Sequence, residues 1–366
     1  MPVLARTWLT ALVALAAAIP GAAAAQAAQP RPPLPRARLL RTSHVRPPAF
    51  AISLQWVGDI ALSTQRGLPP GGLTKALAPL RHQLRSSDLT VGNLEGTLSS
   101  GGVSKCAHLP AGVCFAFQAP GYSAGQLWAL GFEVVNQANN HSNDFGPGGR
   151  AQTVSALHTA GVAETGFPGQ ITVRTVRGRR VAFVGFAPYP YDADLLNIPA
   201  AAALVRTARA HASLVVVIIH AGAEGASALH VPVGTETYLG ENRGNPRAFA
   251  HAMIRAGAAV VLGSGPHVVR GIERYQGHLI AYSLGNFVGY HTLNGGGVLS
   301  ESGILGVTLG PGGRVLGGRW FSIHLVDGLP RAERSNTAAH LVARLSAEDF
   351  PTDHFSILAN GRFRIP

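Results

Sequence analysis

Residues 50–59 read Phe-Ala-Ile-Ser-Leu-Gln-Trp-Val-Gly-Asp, and the reading of this stretch decides the fold. Residues 50–57 alternate apolar or aromatic side chains with single polar ones, the pattern of a strand, and the run gives way to Gly58-Asp59 where the chain turns. Asp59 is thereby delivered to the carboxyl end of a strand, where α/β folds assemble their sites. The arrangement recurs along the chain. Strand 89–91 opens into Gly92-Asn93-Leu94-Glu95-Gly96, and strand 132–135 opens into a polar loop with Asn139, Asn140, His141 and Asp144. Strand 214–219 delivers His220, with Glu224 close behind. Strand 258–262 runs into Gly263-Ser264-Gly265-Pro266-His267, and strand 278–282 into Ser283-Leu284-Gly285-Asn286-Phe287.

Helices are expected between these strands, over 73–85, 122–130, 149–160, 200–210 and 246–256, several of them stopped by a glycine such as Gly161 or Gly257. A hairpin joins 171–176 to 181–186, two strands at 304–309 and 319–325 flank a Pro-Gly-Gly turn, and a last helix covers 337–347. This is an α/β chain. With 46% apolar residues among 366 it can bury a large core. No internal repeat appears, and residues 50–330 read as one domain that also takes in the helix and tail at 331–366.

Ahead of the domain, Arg6, an apolar run over 8–19 and small residues at 21–25 give the order of a secretory signal peptide over 1–28. The run is shorter than the ~20 residues of a membrane span; an uncleaved N-terminal anchor is the alternative. Residues 29–49 form a Pro/Arg-rich linker, which contributes to a net charge of +12 and offers either a solvated tether or a weak contact to anionic wall polymer or lipid. Export implies an oxidising compartment. The two cysteines, Cys106 and Cys114, then read as a disulfide closing one loop; a pair of metal thiolates is the rival, with no further Cys to complete it. No aromatic-interleaved basic face or zinc-finger spacing points to nucleic acid.

Each polar residue at a strand end has a plain explanation by itself, since Asp or Asn caps helices and a lone His is commonly structural. Together they supply carboxylate, amide and imidazole ligands, the mixture that suits a divalent manganese, iron or zinc ion. One or two such ions would activate a water and stabilise charge on a transferring phosphoryl group.

The blocks Val57-Gly58-Asp59, Gly92 to Gly96, Ala138-Asn139-Asn140-His141 with Asp144, His220 to Glu224, Gly263 to Val268 and Tyr282 to Phe287 resemble, in order, the signature blocks of the CapA family of capsule (poly-γ-glutamate) synthesis proteins. The resemblance implies a metallophosphoesterase-type four-layer αββα sandwich with mixed sheets. It also implies that Asp59 and His267 hold one metal and Asn140 and His220 another, with Glu95 bridging and His141 as the acid. Asn93, Asn139, Asp144, Glu224 and Asn286 would support them. The chain departs from the wider pattern where Ala61 and Gly265 stand in place of imidazoles.

Three functions follow as expectations: an envelope hydrolase or transferase acting on a phosphoester or amide-type bond, with an anionic envelope polymer as the substrate the resemblance implies; a non-catalytic factor binding such a polymer or a membrane export complex; and, more weakly, a serine hydrolase using Ser264 or Ser283, neither of which lies in Gly-x-Ser-x-Gly. Residues 289–297 read as a glycine-rich loop, with a lid over the site as the alternative.

Overall fold

In the computed structural model, which describes residues 50–110, 112–293 and 295–365, two mixed sheets carry the fold. The first contains β1 (Ile52–Ile60), β2 (Leu89–Leu94), β3 (Val134–Asn136) and β4 (Ala163–Thr165), side by side and parallel. The second is centred on β6 (Arg179–Phe186), β7 (Leu214–His220) and β8 (Val260–Ser264), also parallel, with β5 (Thr172–Val176) antiparallel on the β6 edge. On its other edge, β10 (His278–Ala281) lies parallel to β8, and β9 (Ile272–Tyr275) antiparallel to β10. β11 (Asn286–Val288) then crosses to the first sheet and pairs with the end of β1. Finally β12 (Glu301–Leu309), β13 (Val315–Val326) and β14 (Leu329–Ala332) extend the first sheet by antiparallel pairing.

The layers follow from the two-residue period of the strands. In β7, Leu214, Val216 and Ile218 join Leu54 and Trp56 of β1 in a core between the sheets, whereas Val215, Val217 and Ile219 face Val205 of α3 (Ile198–His211) and Phe249 and Met253 of α4 (Pro246–Arg255). The first sheet repeats this: Val57 and Ile60 turn outward to Leu127 and Leu130 of α1 (Ser123–Leu130) and Leu157 of α2 (Gly146–Ala160). Helices, sheet, sheet, helices: this is the αββα order with mixed sheets. Each fully buried Leu, Val or Phe contributes about 1.5–3 kcal/mol by leaving water, so a one-residue slip in any central strand would turn its apolar set the wrong way. Trp56 also ties the sheets by a hydrogen bond, its indole Nε1 donating to Gly263 O at 3.1 Å. α5 (Thr337–Asp349) packs Ala338, Val342 and Leu345 into the intersheet core.

Two expectations need correction. The helix expected over 73–85 is broken into Gly72–Ala76, a 3-10 turn at Ala78–Leu80 and Arg81–Leu84, because Pro79 has no amide hydrogen to continue the ladder. Asp59 does not follow its strand but lies inside it, since β1 continues pairing to Ile60; Asn93 is likewise the penultimate residue of β2 and His220 the last of β7 rather than loop residues. Cys106 and Cys114 are disulfide-bonded. The expected signal peptide and linker lie outside the described residues. Among the described residues no helix is long and apolar enough to cross a membrane.

Candidate metal centre

The site forms where the carboxyl ends of the two sheets meet. Asp59 stands between Asn93 of β2 and Asn286 of β11, in register with both. That placement needs a glycine: a Cβ on Gly58 would lie 1.8 Å from Gly285 O, so any side chain there would push the 283–286 segment off β1. The second sheet brings His220, opposite Ser264 in the β7–β8 ladder, and three residues after Ser264 comes His267, held at φ 59. A non-glycine residue in that left-handed region is uncommon and is found at sites that impose it.

Asp59, Glu95 and His267 each offer one donor atom, and these atoms lie within 4.8 Å of one another. Two donors at about 2.0–2.2 Å from one ion are at most ~4.4 Å apart, so a shift of a few tenths of an ångström would let the three share a cation. Glu95 is central: its Oε1 is 3.8 Å from Nε2 of both His267 and His220. His267 Nδ1 is 3.2 Å from Asp59 Oδ2 and 2.8 Å from Asn286 Oδ1. His220 Nδ1 lies 3.3 Å from Asn93 Nδ2 and from Ser264 Oγ.

What these groups lack is as informative as what they touch. Both Glu95 carboxylate oxygens, Asp59 Oδ2, His220 Nε2 and Asn140 Oδ1 are buried with no hydrogen-bond partner among the described residues. A buried polar atom left unpaired costs about 1–3 kcal/mol, and more when charged. Burial, and then the neighbouring Asp59, drive the Glu95 carboxyl well above its usual range. Burial opposes the charged form of His267, yet Glu95 and Asp59 outweigh it and hold that imidazole up at about 10. Burial, and then Arg243, push His220 well below its ordinary value, which favours the neutral, metal-binding form. Oxygen and imidazole donors, mutually close and otherwise unsatisfied, fit a divalent cation of the manganese, iron or zinc kind.

The supporting residues interlock around this group. Asn93 donates from Nδ2 to Asp59 Oδ1 at 2.9 Å, while its Oδ1 accepts from Asn136 and Asn139. Asn139 also accepts the His141 amide. His141 lines the cleft, with Nδ1 2.8 Å from Asp144 Oδ2 and its ring stacked on Phe117 at 4.2 Å. Burial lowers the His141 pKa although Asp144 works against it. Glu224 Oε2 is 3.7 Å from His267 Nε2. Asn140 lies beside these groups in the chain, and its backbone oxygen accepts from Lys105 and Tyr191. The cleft itself has a volume of about 220 Å³ and is bordered by His141, Glu224, His267 and Asn286 together with Phe115, Leu293 and Leu299.

Two basic residues escape the sequence reading. Arg243 is buried, donates from Nη1 to Glu224 Oε1 at 2.6 Å, and leaves Nε and Nη2 without partners among the described residues. Lys105 pairs with Asp144 at 2.6 Å. Neither belongs to a strand-end block, so only an acid-free stretch around Lys105 could have hinted at one of them.

The two departures are structural facts. Ala61 is buried and its amide donates to Val288 O. Gly265 sits at φ 112, where an added Cβ would fall 2.9 Å from Ala221 N and 3.3 Å from His220 Cδ2; any side chain there would strain this backbone and require a shift.

Residues 53–291 match the family described as bacterial capsule synthesis protein PGA_cap. The chain is 28% identical over 261 residues to the PGA biosynthesis protein CapA of Bacillus subtilis (strain 168), covering 65% of this chain and 63% of that protein. It is 32% identical over 169 residues to the capsule biosynthesis protein CapA of Bacillus anthracis, covering 43% and 40%. The chain thus spans under two thirds of the length of either relative. A 5'-nucleotidase precursor from Thermus thermophilus overlays with a TM-score of 0.43 at 15% identity, covering 82% of this chain and 59% of that one; the layer order above rests on the sheets themselves. By its match over 53–291, the chain belongs to the bacterial capsule synthesis protein PGA_cap family.

Proposed function

We propose that the protein acts in the synthesis or export of a capsule or poly-γ-glutamate type envelope polymer, as a metal-dependent hydrolase or transferase of a phosphoester-type bond. The observation that carries this reading is the Glu95 carboxylate, buried with neither oxygen hydrogen-bonded among the described residues and with Oε1 3.8 Å from Nε2 of both His220 and His267. Asp59, Glu95 and His267 would hold a divalent ion, with His220 and Asn140 as the donors for a second. Such an ion supplies an activated water and offsets negative charge on the transferring group.

The chain's own residues do the rest. Asp144 accepts from the Phe117 amide and pairs with Lys105, so its carboxylate is fixed against His141 Nδ1. That leaves His141 Nε2 to carry the proton passed to a departing oxygen, with Asp144 stabilising the imidazolium. Asn93 and Asn286 orient Asp59 and His267. Export through the expected signal peptide agrees with the disulfide, which persists in oxidising compartments. An anionic envelope polymer or a phosphoester would be the substrate, in keeping with relatives named for PGA and capsule biosynthesis, and a membrane export complex would be the partner.

A second reading is favoured by Gly265 alone: with a glycine, which offers no ligand, beside His220, the site would hold at most one ion and the protein would be a non-catalytic polymer-binding or assembly factor. Turnover of bis(p-nitrophenyl) phosphate with added manganese or zinc separates the two. The first reading expects metal-dependent turnover, abolished in Asp59→Asn and reduced about 10²–10⁴-fold in His141→Asn. Absence of turnover, with polymer binding that survives chelation, would establish the second.

A further inference from the structure

From Glu95 to Glu133 the chain has no acidic residue between, and the loop in this stretch is closed by the Cys106–Cys114 bond. It exposes four large apolar side chains: Val103 (72%), Leu109 (54%), Val113 (67%) and Phe115 (46%). Leaving them in water forgoes their burial, worth roughly 1.5–3 kcal/mol for each side chain fully covered. The same loop holds Lys105 and His108, and the Arg66 guanidinium lies 5.4 Å from the Phe115 ring centroid. Apolar tips beside the Arg66 guanidinium, in a stretch with no carboxylate of its own, complement an anionic lipid surface: the tips enter the boundary between headgroups and acyl chains while Arg66 meets the phosphates. A protein interface would instead present a packed apolar core ringed by polar groups.

The loop is also a wall of the cleft. Phe115 is at once an exposed tip and, with Leu293 and Leu299, part of the lining of the cleft that also holds His141, His267 and Glu224. A ligand lying there would set its charged end against the candidate metal ligands and its apolar part against Phe115 and the two leucines. Lys105 fastens the loop to this arrangement through Asp144.

The geometry points to residues 101–110 and 112–116 as a bilayer-docking element that presents the candidate metal centre to an amphipathic, lipid-borne phosphoester. Docking stands independently of the proposed chemistry; the substrate class rests on it.

Hydrogen exchange on the full chain tests the docking, with vesicles of phosphatidylcholine alone and with added phosphatidylglycerol. Peptides spanning 101–116 should exchange at least about tenfold more slowly on the anionic vesicles. In Leu109→Ser/Val113→Ser that protection should vanish with the thermal midpoint unchanged, because both side chains are exposed and neither lines the cleft. Protection confined to residues 1–49, protection that persists in the double variant, or none at all would overturn the docking. For the substrate, turnover of a long-chain phosphodiester in vesicles should drop in the double variant while bis(p-nitrophenyl) phosphate turnover holds. An equal effect on both refutes the lipid-borne substrate. No turnover of either refutes the enzymatic reading and, with it, the substrate class, leaving the docking result to stand or fall by exchange.

Discussion

Asn93 and Asp59 face each other on neighbouring parallel strands, and the Asn93 amide donates to Asp59 Oδ1 at 2.9 Å while its oxygen accepts from Asn136 and Asn139. One buried amide thus joins a candidate ligand to the loop that carries His141. Asn93→Leu removes this link and strands buried partners, at about 1–3 kcal/mol for each unsatisfied group. It should also weaken metal binding roughly 10–100-fold, as loss of an orienting partner does. Chemical denaturation and calorimetric titration read the two effects; unchanged metal affinity would show that Asn93 serves the fold alone.

Arg243 is expected to be a positioning residue acting through Glu224. In Arg243→Ala a nearly buried carboxylate loses its ion-pair partner, and breaking a buried pair from one side costs about 3–5 kcal/mol. Arg243→Lys restores the charge without the planar fork and should recover stability only in part. Full recovery in the lysine variant, read by chemical denaturation, would mean that charge alone matters at this position.

Gly265→His does not restore a ligand. With φ at 112 and a Cβ 2.9 Å from the Ala221 amide nitrogen, the variant strains the backbone beside His220 and should lose about 1–3 kcal/mol. Gly265→Ala should show a similar loss, since the obstacle is the Cβ itself. A rise in metal affinity or thermal midpoint in the histidine variant would contradict the geometry.

Glu133 gives a signed pH dependence. Burial raises its pKa from 4.5 to about 6, although the Thr90 amide donates to Oε2 and Arg174 lies near. The folded state therefore binds this proton more tightly than the unfolded chain does. Its stabilising contribution is complete below about 4.5 and is lost as pH rises through about 6. Relative to Glu133→Gln, the wild type should lose about 1 kcal/mol across that window, after allowing for screening of a partly exposed carboxyl. A stability difference that grows with pH would carry the opposite sign and refute the assignment.

Much of the site was legible because a strand that ends on a polar residue leaves a strong local mark. Asp59, Asn93, His220 and His267 all belong to such marks, and the β5–β6 hairpin was readable from its turn. What the sequence could not convey is pairing across space. The register of Asp59 with Asn286 depends on β11 crossing from one sheet to the other, a three-residue strand too short for a period. Arg243 lies beyond any motif, and only the fold brings it to Glu224. Gly265 read as a missing ligand; the backbone angle that makes it obligatory is a property of the β7–β8 junction. Pro79, inside the helix expected over 73–85, divides it because a proline cannot continue the hydrogen-bond ladder.

The central claim is that Glu95 and its neighbours hold a divalent cation, and calorimetric titration of manganese and zinc into the chelator-stripped full chain tests it most directly, with Glu95→Gln in parallel. Saturable binding that weakens about 10–100-fold in the variant, with a thermal midpoint that rises with metal in the wild type, is the expected result. No saturable binding, or equal affinity in Glu95→Gln, would contradict it.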